Sequence, residues 1–149
     1  MLPPIELIKA TVDGMAKRGF GRIINITSSA VKSPIESLGL SNGARSGLTG
    51  FIAGLARQDN IASRNVAIYN LQPGSFDTDR LRGNLVAAAE EMGQDSEAFL
   101  ADCRSEIPAK RFGSLEEFGA LCAFVCSRHA GCLTGQNLLI DGGAIRSSQ

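Results

Sequence analysis

Three short apolar runs, Arg22 to Thr27, Val66 to Leu71 and Asn137 to Ile140, alternate along the chain with stretches whose apolar residues recur at helical spacing. This order decides the fold class. Strands joined through helices run parallel, because the crossover returns the chain to the same end of the sheet, and such crossovers are right-handed. The sequence therefore predicts an α/β fold with about three parallel strands. Ile23, Ile24 and Ile26 crowd the first run without polar alternation, the pattern of a strand buried on both faces. Strands of this kind need neighbours at their edges and helices on both sides, so three of them read as part of a larger sheet.

Between the strands, helices are marked by their ends. Ile5, Ile8, Val12 and Met15 recur at helical spacing after Pro3 and Pro4, and Gly19 follows where a left-handed cap residue is wanted, which predicts a helix from about Pro4 to Arg18. A polar loop then runs through Leu38. From Ser41 to about Asn60 small and apolar residues dominate, with Ser41 or Asn42 as the expected N-cap. Gln72-Pro73-Gly74 stops the second strand. Two helical patches, Thr78 to Glu91 and Ser96 to Ser105, flank a break at Gly93. Ser114-Leu115-Glu116-Glu117 is a capping box, in which hydroxyl and carboxylate satisfy free amides reciprocally. Asp141-Gly142-Gly143 closes the last strand.

With 149 residues the chain holds one domain, spanning residues 1–149. Fifteen Lys and Arg balance fifteen Asp and Glu, so no excess positive field attracts a nucleic acid or an acidic membrane surface. No apolar run approaches the ~18 residues that cross a bilayer. The start, Met1-Leu2-Pro3-Pro4, lacks a basic region and a long apolar segment, so no secretory signal is expected and the cytoplasm is the expected compartment. Cys103, Cys122, Cys126 and Cys132 form no CxxC pair and read as small buried hydrophobes; no metal site is expected.

A βαβ unit that cradles a nucleotide carries a glycine-rich turn between strand and helix. No GxGxxG or GxxxGxG occurs here, and Gly14, Gly19 and Gly21 sit at a helix end before a strand, the reverse order. They read as turn glycines.

Gly21-Arg22-Ile23-Ile24-Asn25-Ile26-Thr27-Ser28-Ser29, then Pro73-Gly74-Ser75-Phe76-Asp77-Thr78, then Leu133-Thr134-Gly135-Gln136 running to Asp141-Gly142-Gly143, in this order, resemble the short-chain dehydrogenase/reductase family, closest to its 3-oxoacyl-carrier-protein-reductase-like branch. The resemblance covers Met1 to Gly143 and corresponds to the C-terminal portion of a Rossmann-like, doubly wound parallel sheet. It implies NAD or NADP as cofactor, a small-molecule carbonyl or secondary alcohol as substrate, and an N-terminal half carrying the glycine turn that this chain does not contain.

Residue by residue, the resemblance puts Ser28 at the family's active-site serine, where its hydroxyl would bond a substrate oxygen; a serine capping the strand end fits equally well. The family's tyrosine and lysine fall at Ser41 and Arg45. A serine is a weaker acid than a phenol and shorter, and a guanidinium stays protonated, so neither reproduces the acid/base pair. Arg45 retains the capacity to bond a nicotinamide ribose; a solvated or ion-paired arginine is the plain alternative. Phe76 and Thr78, with Pro73 and Gly74, are implied to hold the nicotinamide carboxamide, against the plain alternative of a turn and a helix cap. Tyr69, the only tyrosine, lies inside the second strand and is expected to be packed there. The segment from Arg80 to Ser105 matches the family's variable substrate lid.

Two readings follow. One is an NAD(P)-dependent oxidoreductase, impaired as an isolated chain. The other is a non-catalytic oligomerisation or binding module. The resemblance also implies a homodimer or homotetramer packed through the helices of Pro4–Arg18 and Ser41–Asn60.

Overall fold

A computed structural model describes residues 1–146. Helix α1 (Leu2–Arg18) leads to strand β1 (Gly21–Ile26); after a loop come α2 (Gly39–Leu55), α3 (Asp59–Ala62) and β2 (Val66–Pro73). Helices α4 (Asp79–Glu91), α5 (Ser96–Glu106) and α6 (Leu115–Cys126) then precede β3 (Asn137–Ile140). The three strands form one parallel sheet in the order β1-β2-β3, with Ile23 opposite Ile68 and Leu71 opposite Leu138.

Alternation along β2 divides the core. Val66 and Ile68 face α1 and α2, where they bury with Ile8, Val12, Leu48, Ile52 and Ile61. Ala67 and Tyr69 face the other way, onto Val125 of α6. Tyr69 is packed as expected, and its hydroxyl donates to the Ala130 carbonyl at 2.7 Å. Burial pushes its phenol above the ordinary range. A third cluster, Leu100, Ile107 and Phe112 with Leu81 and Leu85, holds α4 and α5 together over the chain that follows β2.

Several boundaries differ from the sequence expectation. Gly19 does end α1, in the left-handed conformation at φ 71°. Neither Ser41 nor Asn42 caps α2. A 3₁₀ turn, Glu36–Leu38, runs straight into the helix, whose N-cap is Leu38, and Asn42 turns back to donate to the Ile35 carbonyl at 2.7 Å. Nor does α2 continue to Asn60: the chain breaks after Leu55 so that α3 can insert Ile61 under α1. Strand β1 is not buried on both faces. It is an edge of the sheet in this chain, half-buried along its length, with Ile26 64% exposed.

The cysteines also depart from expectation. Cys103 and Cys122 are half-buried, and Cys126 and Cys132 are exposed, all as free thiols. The capping box forms as read: Ser114 Oγ accepts from Glu117 N at 3.2 Å, and Glu117 accepts from Ser114 N at 2.9 Å.

Candidate functional site

The ligands of open parallel sheets bind beyond the C-terminal ends of the strands. Here β1 and β2 end side by side, and two loops leave them. The loop after β2, Pro73 to Thr78, is fixed at several points. Gly74 N donates to the Ile140 carbonyl at 2.8 Å, and a Cβ at Gly74 would stand 2.7 Å from Asp141 Cβ, so only glycine lets the loop pass the end of β3. Phe76 bridges to Gly113, whose N and O bond Ser75 O and Asp77 N at 3.0 and 2.9 Å. Its ring meets Phe118 edge-on, 5.4 Å between centroids. Asp77 takes two bonds from Arg82, at 2.6 and 2.7 Å, which hold its carboxyl below the usual range and tie the loop to α4.

This loop forms one wall of a cleft of about 450 Å³. Pro73, Gly74, Phe76 and Thr78 all line it, so the structure brings together the loop residues singled out from sequence. The opposite walls come from Arg80, Leu81 and Asn84 of α4 and Leu115 and Phe118 of α6. The sequence singled out none of these individually, although Arg80, Leu81 and Asn84 fall within the Arg80–Ser105 segment that matches the family's substrate lid. Leu115 and Phe118 reach the site only because α6 packs against the loop.

Thr78 is the N-cap of α4, its Oγ1 accepting from Leu81 N at 3.1 Å. A hydroxyl that accepts one bond keeps its own proton to donate. The cap and a ligand contact therefore coexist at Thr78. Ser28 is built alike. It leaves the end of β1 and caps the 3₁₀ turn Ser29–Val31, its Oγ accepting from Ala30 N at 3.1 Å, with the hydroxyl proton left over.

Ser28, Ser41 and Arg45 do not line the Pro73–Thr78 cleft. Ser41 and Arg45 lie one turn apart in the first half of α2, both half-buried, and the Ser28 turn packs against α2 and β2. Among the described residues Arg45 makes no ion pair. Asp141, in contrast, is spent on its turn, accepting from Gly143 N and Ile145 N at 2.9 and 2.8 Å.

Comparison with known proteins bears on this arrangement. The family profile described as Enoyl-(Acyl carrier protein) reductase matches residues 3–144. The chain belongs to the short-chain dehydrogenase/reductase family. It is 34% identical over 140 residues to the acetoacetyl-CoA reductase of Cupriavidus necator, covering 93% of this chain and 51% of that protein. With the 3-oxoacyl-[acyl-carrier-protein] reductase FabG of Vibrio harveyi it shares 31% over 145 residues, 96% of this chain and 53% of that one. Among solved structures, YwfH, an NADPH dependent reductase involved in bacilysin biosynthesis, superposes with a TM-score of 0.84 at 32% identity, over 97% of this chain and 54% of that chain. The short-chain dehydrogenase/reductase chain thus spans about half the length of the relatives it matches, and its three-stranded sheet corresponds to part of their Rossmann-like fold.

Proposed function

We propose that this chain carries the nicotinamide side of an NAD- or NADP-dependent oxidoreductase that interconverts a small-molecule carbonyl and a secondary alcohol, in the manner of 3-oxoacyl reductases. The observation that carries the reading is the Pro73–Thr78 loop, pinned at the C-terminal end of the central strand with Phe76 and Thr78 on a largely apolar cleft. Similarity to an acetoacetyl-CoA reductase, a 3-oxoacyl-[acyl-carrier-protein] reductase and an NADPH dependent reductase supports the same class.

The cleft suits a planar aromatic amide. Phe76 and Phe118 offer apolar faces, and Thr78 retains a hydroxyl proton for a carboxamide oxygen. When bound, the dinucleotide supplies the hydride. Ser28 polarises the substrate carbonyl by donating its remaining proton, and Arg45 bonds the ribose. Ser41 is too short and too weak an acid to protonate the product oxygen, and Arg45 cannot pass a proton on. The proton that completes the alcohol therefore comes from water or from a residue outside this chain. Cofactor affinity is low in this chain, because its sequence holds no glycine-rich turn to grip the pyrophosphate.

Ser41 and Arg45 favour a second reading, a non-catalytic oligomerisation or binding module that keeps the fold without the reactive pair. In either case the protein is a cytoplasmic homodimer or homotetramer, packed through α1 and α2, with no nucleic-acid or membrane partner. Among the described residues no helix is long and apolar enough to cross a membrane.

Calorimetric titration with NADH and NADPH separates the two readings. Saturable binding that Thr78→Val weakens supports the oxidoreductase. No heat at millimolar cofactor overturns cofactor binding by this chain and places it with a fragment of such an enzyme or with the module.

A further inference from the structure

The face of β2 that buries Val66 and Ile68 turns polar towards its far end, where alternation puts Asn70 and Gln72 on the same side. Both are sealed from solvent, Asn70 at 1% and Gln72 at 0% exposure. Asn70 Nδ2 donates to Asn137 Oδ1 at 2.8 Å. Among the described residues, Asn70 Oδ1 and both amide atoms of Gln72 have no bonding partner. The neighbouring carbonyls are taken. Leu71 O accepts from Thr27 N at 2.8 Å and Thr27 Oγ1 at 3.2 Å, and Tyr69 O accepts from Asn25 Nδ2 at 3.2 Å. The 3₁₀ turn Ser29–Val31, whose Ala30 is buried, packs against β2 and α2.

Buried amides that the chain leaves unpaired are commonly satisfied by ordered water, which makes two to four bonds in such a place. The donor count fits. Asn70 Oδ1 and Gln72 Oε1 each need a donor, Gln72 Nε2 offers two protons, and water gives and takes two bonds. Side chains two residues apart on one face of a strand stand about 7 Å apart at their roots, within reach of a single bridging molecule. A desolvated ion is a poor occupant, because Asn70, Gln72, Asn137 and Thr27 are all neutral.

We propose that Asn70 and Gln72 form an internal hydration site, binding water between the centre of the sheet and the turn that follows Ser28. Thr27 carries the β1–β2 ladder one residue beyond Ile26, beside Gln72, and Pro73 follows Gln72 directly. The site therefore underlies the starts of both loops described above, and it stands whether or not a cofactor binds.

Two measurements test it. In isotopically labelled protein, water-selective NOE and ROE spectra give cross-peaks of a long-lived water at the Gln72 side-chain amide protons. Gln72→Leu, which removes the anchor and strands Asn70 Oδ1, lowers Tm by about 2–6 °C. Absence of a water cross-peak at Gln72 overturns the proposal. So does a Tm that stays or rises in Gln72→Leu, the result for an unpaired amide in a dry interior. Should that variant not fold, the spectra of the unaltered protein decide alone.

Discussion

Thr78 illustrates how one hydroxyl serves stability and binding together. It caps α4 through Leu81 N and keeps a proton towards the cleft. Thr78→Val preserves shape but removes both functions, so it costs about 1 kcal/mol of stability in urea unfolding and weakens NAD(P)H binding. Thr78→Ser keeps both; a serine variant that lost binding while retaining stability would separate the two roles. Glu117 gives a pH prediction. Two bonds from Arg111, at 2.7 and 2.6 Å, and one from Ser114 N lower its carboxyl to about 2 from an ordinary 4.5. A depressed carboxylate contributes stability above its unfolded value and loses it as pH falls through the folded one. Thermal melts from pH 5 to 2 therefore show a difference between wild type and Glu117→Gln that shrinks as acid is added; a constant difference would contradict the assignment. The capping box behind this was legible because its two partners lie three residues apart. The α2 cap was not, because the residues that replace it belong to a turn the sequence does not mark.

At the scale of elements, the strands were legible in position and less so in extent. The β2 run was read as ending at Leu71, stopped by Gln72-Pro73-Gly74, yet the strand continues through a buried Gln72 to Pro73. Polarity at a buried position cannot be read from a pattern that equates polar with exposed. Arg22 was equally opaque. Two of its partners lie 43 and 105 residues away: Nη1 donates to Asn65 O at 2.7 Å as well as to the adjacent Gly21 O at 2.8 Å, Nη2 to Asn65 Oδ1 at 3.1 Å and Nε to Ser127 O at 3.2 Å, while the guanidinium stacks 4.5 Å above the Phe20 ring. One side chain thus ties the entry to β1, the turn before β2 and the end of α6. Arg22→Ala destabilises the fold by about 2–3 kcal/mol in urea, through lost charge-assisted bonds. Arg22→Lys does not restore it, since an ammonium cannot reproduce the fork. Full stability in the lysine variant would show that charge alone matters there.

For the whole molecule, the sheet order leaves the outer edge of β1 without a strand neighbour among the described residues. The alternation of elements was enough to predict a parallel α/β sheet, and the order of three motifs to place it in its family, but not which strand would stand at the edge. Among the described residues β1 is one edge and β3 the other, and beside β1 Pro3, Leu7, Ile23, Ile26 and Leu48 line a groove of about 380 Å³. Unpaired strand edges with apolar flanks recruit other chains unless a charge blocks them, and the one charge within Gly21–Ile26, that of Arg22, is held by bonds to Gly21, Asn65 and Ser127 of the same chain. The protein therefore self-associates with rising concentration, by light scattering coupled to sizing, and a lysine in place of Ile26, exposed at 64%, reduces that association without lowering Tm. A concentration-independent monomer would remove the edge as a driving force. Association unchanged in Ile26→Lys would instead move the interface to the helices α1 and α2, the second of which exposes Gly43, Gly47, Gly50 and Gly54.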